Sequence, residues 1–173
     1  MKIWPWVLVA AAVIFTRMDK KTTTRTRWRL GRGIRNNNPG NIRKGIKWLG
    51  RVEPGRDAEF VEFQTMPFGT RALYIDLINK HKGGLRTIQS IIYRYAPPSE
   101  NLTDAYVSSV SQQIGIPATA VFEPTLENFK KFAKAIARHE NGKEAILILE
   151  TDWATGLNLA LARPDISSYV KNS

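Results

Sequence analysis

A mainly α-helical domain with one minor extended element is what the sequence predicts for residues 33–173, and three observations predict it. Apolar residues recur at helical spacing in four separate stretches. Those stretches close on glycine or proline, and several open on threonine. The one stretch that alternates acid with apolar residues, EFVEFQT at 59–65, is too short for more than a brief extended piece. At 173 residues the chain suits one domain of ordinary size plus an appendage.

The appendage comes first. Residues 3–16, IWPWVLVAAAVIFT, carry no charge and are followed by Arg17, Lys20 and Lys21. The run falls short of the roughly 17–25 residues of a spanning helix. Trp4 and Trp6 at the interface and a snorkelling Arg17 extend it. A signal peptide fits less well, because no small-x-small site follows and the next stretch is strongly basic. The expectation is an uncleaved N-terminal membrane-anchor helix over 1–18 and a Thr- and Arg-rich basic linker over 19–32. By the positive-inside rule the rest of the chain starts on the cytoplasmic side or its topological equivalent.

The domain opens with GIRNNNPGNIR, residues 33–43, in which four asparagines surround the turn signal Pro39-Gly40. PFGTRALYIDLINKHK (67–82) reads as a helix with a buried face, closed by Gly83-Gly84. TIQSIIYRYA (87–96) reads as a second helix, stopped by Pro97-Pro98. A third, in NLTDAYVSSVSQQIG, takes Thr103 as N-cap and Gly115 as C-cap. A fourth, TLENFKKFAKAIARHENG (125–142), lies between Thr125 and Gly142, and EAILILETDW (144–153) is apolar enough to finish as helix.

Composition narrows the chemistry. There are no cysteines and only His81 and His139, and no spacing suggests a metal site or implies a cofactor. The serines sit in no strand-turn-helix elbow. Of the net charge of +11, residues 17–51 supply twelve Lys or Arg against Asp19 alone, while 52–173 are nearly neutral. The basic stretch suits salt-sensitive attraction to anionic lipid, wall polymer or nucleic acid, with Trp28 as its one aromatic. A nucleic-acid reader usually carries its charge on the domain itself, so nucleic acid is expected to bind only non-specifically.

NNNPGNIRKG resembles the Asn-rich turn in the substrate cleft of the glucosaminidase and lytic-transglycosylase branches of the lysozyme-like superfamily. FVEFQTMPFGTRALYIDLI is similar to the extended piece and helix that follow it there, and RYAPPSENLTDAYVSSV resembles the family's Tyr-Ala segment and downstream helical Tyr. Together these cover about Gly33 to Val110. The GIRNNNPGNIR string also resembles one in small phage virion proteins. The family's catalytic glutamate lies upstream of the Asn-rich turn, but no glutamate stands upstream here. FAKAIARHENG resembles the missing helix, so the resemblance implies a circularly permuted order with Glu140 as the acid.

Cleaving a glycosidic bond requires a general acid at the leaving oxygen. A carboxyl half-buried at a helix C-terminus, where burial and the helix dipole disfavour negative charge, suits that task. The resemblance further implies a supporting role for Tyr95. It implies substrate contacts for Asn38, Asn41 and Asn37, with Asn36 or Asn37 shaping the turn. Glu59 and Glu62 are the alternative acids, and Glu53, Asp57, Glu59 and Glu62 are the pool for a second carboxylate. The expected function is a membrane-anchored, virion-associated enzyme that cleaves the glycan strands of bacterial peptidoglycan during phage entry or exit. Its expected partners are peptidoglycan, a lipid membrane through residues 3–16, and other virion proteins. The alternative is a non-enzymatic structural membrane protein of a phage virion.

Overall fold

Residues 30–98 and 102–171 are described by the computed structural model. They are mainly helical, and isolated β-bridges replace any sheet among them. The apolar run 3–16 and most of the basic linker lie outside the described residues. Among those described, no helix is long and apolar enough to cross a membrane. From Gly31 onward the chain forms one compact unit.

The chain enters through α1 (Arg32–Arg35), a single helical turn, and then the Asn-rich turn. Two short extended pieces follow. Arg43 bridges Phe60 and Arg51 bridges Phe63, both antiparallel, and Val61 and Phe63 point into the core. This is the brief extended element read from EFVEFQT.

The centre of the domain is α2 (Met66–Lys82), with Pro67 in its first turn and Lys80 and Lys82 in its last. Ala72, Leu73, Ile75, Leu77 and Ile78 have no exposed surface, so this helix is enclosed on most sides. Its main partner is α6 (Glu150–Leu161). The two approach closely at Gly156, where a Cβ would stand 2.8 Å from both the Arg71 nitrogen and the Pro67 carbonyl oxygen.

Thr87 and Ser90 cap α3 (Ile88–Tyr95) reciprocally, each hydroxyl accepting from the other's backbone N–H at 3.1–3.2 Å. α4 (Thr103–Ile114) ends on Gly115 at φ +76°. Thr103 is not its N-cap. Leu102 takes that place, and the Thr103 hydroxyl donates instead to the Ala96 carbonyl at 2.7 Å, tying the start of α4 to the end of α3. Thr125 caps α5 (Leu126–Asn141), accepting from the Asn128 N–H at 3.2 Å, and Gly142 follows at φ +54°.

The 144–153 stretch does not run on as one helix. A 3₁₀ segment (Gly142–Leu147) gives way to extended backbone at Ile148 and Leu149, and α6 starts only at Glu150. Asp152 marks that start by accepting from the Leu149 N–H at 3.1 Å. A last turn, α7 (Pro164–Ser167), closes the domain.

His81 sits in the core among Phe122, Phe129 and Tyr169. The Phe122 carbonyl only accepts, so Nε2 donates to it at 2.8 Å, and Nδ1 accepts from the Tyr169 hydroxyl at 2.7 Å. This histidine is neutral and structural.

Candidate active site

Five parts of the chain build one cleft. The Asn-rich turn and the extended pieces supply Asn41, Ile42, Trp48 and Phe60; α2 supplies Asp76 and Lys80; α3 supplies Arg94 and Tyr95; α5 supplies Glu140. The cleft has a volume of about 290 Å³.

The turn is shaped by its amides. Asn37 and Asn41 lie at φ +50° and +47°, the left-handed region that asparagine enters more readily than most residues. Asn38 has no exposed surface. It donates to the carbonyls of Ile42 and Val61 at 2.9 Å and accepts from the Ile42 N–H at 2.8 Å. Asn37 donates to the Phe63 carbonyl at 2.9 Å. Asn36 donates to Asp57 at 2.9 Å, and Asp57 also accepts from the backbone of Glu59 and Phe60. Burial pushes the Asp57 carboxyl up, but these hydrogen bonds and nearby Arg32 outweigh it and hold the group below the usual carboxylate range. Gly40 is required because a Cβ there would collide with the Tyr95 hydroxyl and with Leu73. That hydroxyl donates to the Gly40 carbonyl.

Glu140 stands in the last turn of α5 and meets this turn directly. Its Oε2 accepts from the Asn41 amide at 2.8 Å, and its Oε1 accepts from the Tyr106 hydroxyl at 2.9 Å. The Glu140 carboxylate only accepts, so Nδ2 of Asn41 must face it. The next residue, Asn141, donates to the Pro39 carbonyl and to the Ala137 carbonyl, each at 2.8 Å, and so clamps the end of α5 onto the turn. Glu144 adds a second clamp by accepting from the Gly31 N–H at 2.7 Å.

Tyr106 is itself fixed by stacking on His139, with ring centroids 3.6 Å apart and planes 12° apart. Burial pushes the Tyr106 hydroxyl well above its ordinary value of 10, and the Glu140 charge acts in the same direction. Tyr95 is raised likewise, by burial first and then by the charges of Asp76 and Glu140. Both hydroxyls therefore remain donors. Burial lowers the His139 pKa, with Glu140 opposing.

Two polar atoms of cleft residues, Asn41 Oδ1 and Trp48 Nε1, are buried with no hydrogen-bond partner among the described residues. One is an acceptor and the other a donor. Asp76 is the cleft's second carboxylate, ion-paired with Lys80 at 2.5 Å. Among the described residues no three His, Asp or Glu side chains gather as metal ligands do.

No protein-family model matches the chain. Protein P5 of Pseudoalteromonas phage PM2 is 38% identical over 116 residues, which span 64% of this chain and 71% of that protein. The chain belongs to the family of phage protein P5.

In this P5-family protein the residues singled out from sequence divide into two groups. Glu140, Asn41 and Tyr95 meet in the cleft. Asn37 and Asn38 do not line it, because their amides are spent on backbone within the turn. The proton of Tyr95 goes to the turn as well, and the hydroxyl that holds Glu140 is that of Tyr106. Glu62 is 5% exposed and tied to Arg56, while Glu59 faces outward beside Arg32 and Arg43, so neither lines the cleft.

Tyr106, Asn141 and Asp76 are the residues that sequence reasoning missed. Tyr106 had a signal, as the downstream helical Tyr of the resemblance. Asn141 stood in the quoted Glu-Asn-Gly string without a role. Asp76 with Lys80 at i+4 looks like any solvated helical pair.

Proposed function

We propose that this P5-family protein cleaves glycosidic bonds of bacterial peptidoglycan, carried in a phage particle and anchored to a membrane through residues 3–16. The observation that carries the reading is the 2.8 Å contact between Asn41 and Glu140, which lie 99 residues apart. A permuted lysozyme-like order requires that meeting, and nothing in the local sequence does.

Glu140 is the general acid of this reading. Asn41 and Tyr106 each donate to one of its oxygens and so fix the rotation of the carboxyl, while each oxygen keeps a further site for a proton or a substrate. The protonated carboxyl gives its proton to the leaving glycosidic oxygen as the bond to the anomeric carbon breaks. The sugar's own acetamido oxygen then takes that carbon, or water does so and returns a proton to the Glu140 carboxylate. The unpartnered Asn41 acceptor and Trp48 donor suit the N–H and C=O of an acetamido group. Tyr95 acts through the turn it braces.

Glu140→Gln keeps the size of the side chain and cannot donate the proton. Loss of general-acid help costs about 10²- to 10⁴-fold. A peptidoglycan zymogram should therefore show clearing by the wild type and none by the variant, with the same melting temperature for both. Equal clearing would remove Glu140 from the chemistry. If the wild type fails on every wall preparation, a non-enzymatic structural protein of the phage particle takes the place of this reading.

A further inference from the structure

The stretch between α5 and α6 breaks the rule that a domain hides its large apolar side chains. Ile146, Leu147 and Leu149 are 84%, 49% and 61% exposed, three within four positions. Exposed apolar residues in such a cluster mark a contact surface. The fold holds them in this state. Ile148 between them is buried, and its N–H donates to the Ala145 carbonyl at 3.2 Å. Asp152 accepts from the Leu149 N–H at 3.1 Å, and Glu144 accepts from the Gly31 N–H at 2.7 Å. The backbone is therefore pinned while the three side chains project outward.

Cations surround the patch. Ile146 and Leu149 line an open groove of about 650 Å³ together with Lys134, Arg138, Lys143 and Trp153. Glu150 is paired with Lys134 at 2.8 Å, which leaves Arg138 and Lys143 as exposed charges at the rim. Apolar groups ringed by basic ones match a bilayer surface, whose acyl boundary takes the first and whose anionic headgroups take the second. The route of the chain selects lipid over a protein partner. Residues 17–30 join the apolar run 3–16 to Gly31, and Gly31 is bonded to Glu144 beside the patch. A membrane held by that run is thus kept near this face at a high effective concentration.

Resting on the membrane anchor of the proposed function, and not on glycan cleavage, we propose that residues 142–149 form a second membrane contact, made by the folded domain itself. It takes an anionic phospholipid surface, with Ile146, Leu147 and Leu149 in the acyl boundary and Arg138 and Lys143 at the headgroups. The anchor holds the protein to the bilayer, and this contact fixes which side of the domain faces it.

The chain has no cysteine, so one introduced cysteine carries one label. The full chain with Ile146→Cys, bearing an environment-sensitive fluorophore, is reconstituted into vesicles of phosphatidylcholine with or without phosphatidylglycerol. Val121→Cys supplies the reference. Val121 is 70% exposed and adjoins Phe122, whose carbonyl meets His81 at one end of α2, whereas Asp152 meets Thr70 at the other end. Emission from position 146 is expected to shift to the blue on the anionic vesicles and less on the neutral ones, with the difference lost at high salt. Emission from position 121 should stay as in water. Adding Lys143→Gln should lower the ratio of docked to undocked domain roughly fivefold, the worth of one basic group at an anionic surface. Unshifted emission at 146 in vesicle-bound chain, or equal shifts at 146 and 121, would overturn the proposal and leave the anchor standing. A shift that follows protein density and not lipid charge would overturn it in favour of a second copy of the chain as the occupant. A chain that sediments with neither kind of vesicle would remove the anchor and this contact together.

Discussion

Each asparagine of the turn serves a different end, and substitution separates them. Asn38→Ala deletes three buried hydrogen bonds and strands the Val61 carbonyl and the Ile42 N–H, while the Ile42 carbonyl keeps the Val61 N–H. The expected loss is about 2–4 kcal/mol of folding stability, measured by chemical denaturation. Asn41 is the opposite case. Asn41→Gly keeps the left-handed backbone at φ +47° and removes only the amide that orients Glu140. Its melting temperature should stay near that of the wild type while cleavage falls about tenfold, the worth of one charge-assisted hydrogen bond. A large stability loss in Asn41→Gly would assign it to scaffolding with Asn38. No reading of the sequence separates the two, because an amide aimed at its own turn and an amide aimed at a cleft are spelled the same way.

At the scale of elements, the approach of α2 to α6 limits what the fold tolerates. At Gly156 a Cβ meets the Thr70 hydroxyl and two backbone atoms, all belonging to α2. Backbone cannot step aside as a flexible side chain does, so Gly156→Ala should cost about 1–3 kcal/mol. A thermal melt reads this as a drop of several degrees, and an unchanged melting temperature would show that the helices slide apart freely. α2 and α5 were legible in the sequence because periodic apolar residues and end signals agree. α6 was not, since its start depends on Asp152 reaching back to Leu149 after a 3₁₀ interruption. Thr103 misled for a related reason. A threonine at a helix start is a good cap by type, but α3 lies close enough to take its hydroxyl.

For the molecule as a whole, the cleft was legible only through the order of its pieces. Glu140 and Asn41 could be paired because a family likeness specified both. Asp76 reaches the cleft, and Asn141 reaches the Pro39 carbonyl, only through three-dimensional packing, and no local pattern announces either. The core carries its own consequence for acid stability. Burial lowers the His81 pKa from its ordinary value of about 6.5, the Phe122 carbonyl opposes, nearby Arg86 lowers it further and Glu123 raises it. The net shift is downward, so the folded state favours neutral histidine. Stability should be fully present above pH 6.5 and fall as pH drops below it, by at most about 1.4 kcal/mol per pH unit for one proton. Denaturation across pH 5 to 7.5 should show this decline in wild type and a weaker one in His81→Gln. His139, lowered in the same direction, accounts for what remains and is removed by His139→Gln.

The contact between Asn41 and Glu140 also orders events in time. A ribosome that has finished the turn must add 99 more residues before the carboxylate exists. At about 5–20 residues per second this takes roughly 5–20 s. Throughout that interval the nascent polypeptide carries the turn without the carboxylate that it holds, and any translation product that stops short of residue 140 lacks this contact altogether.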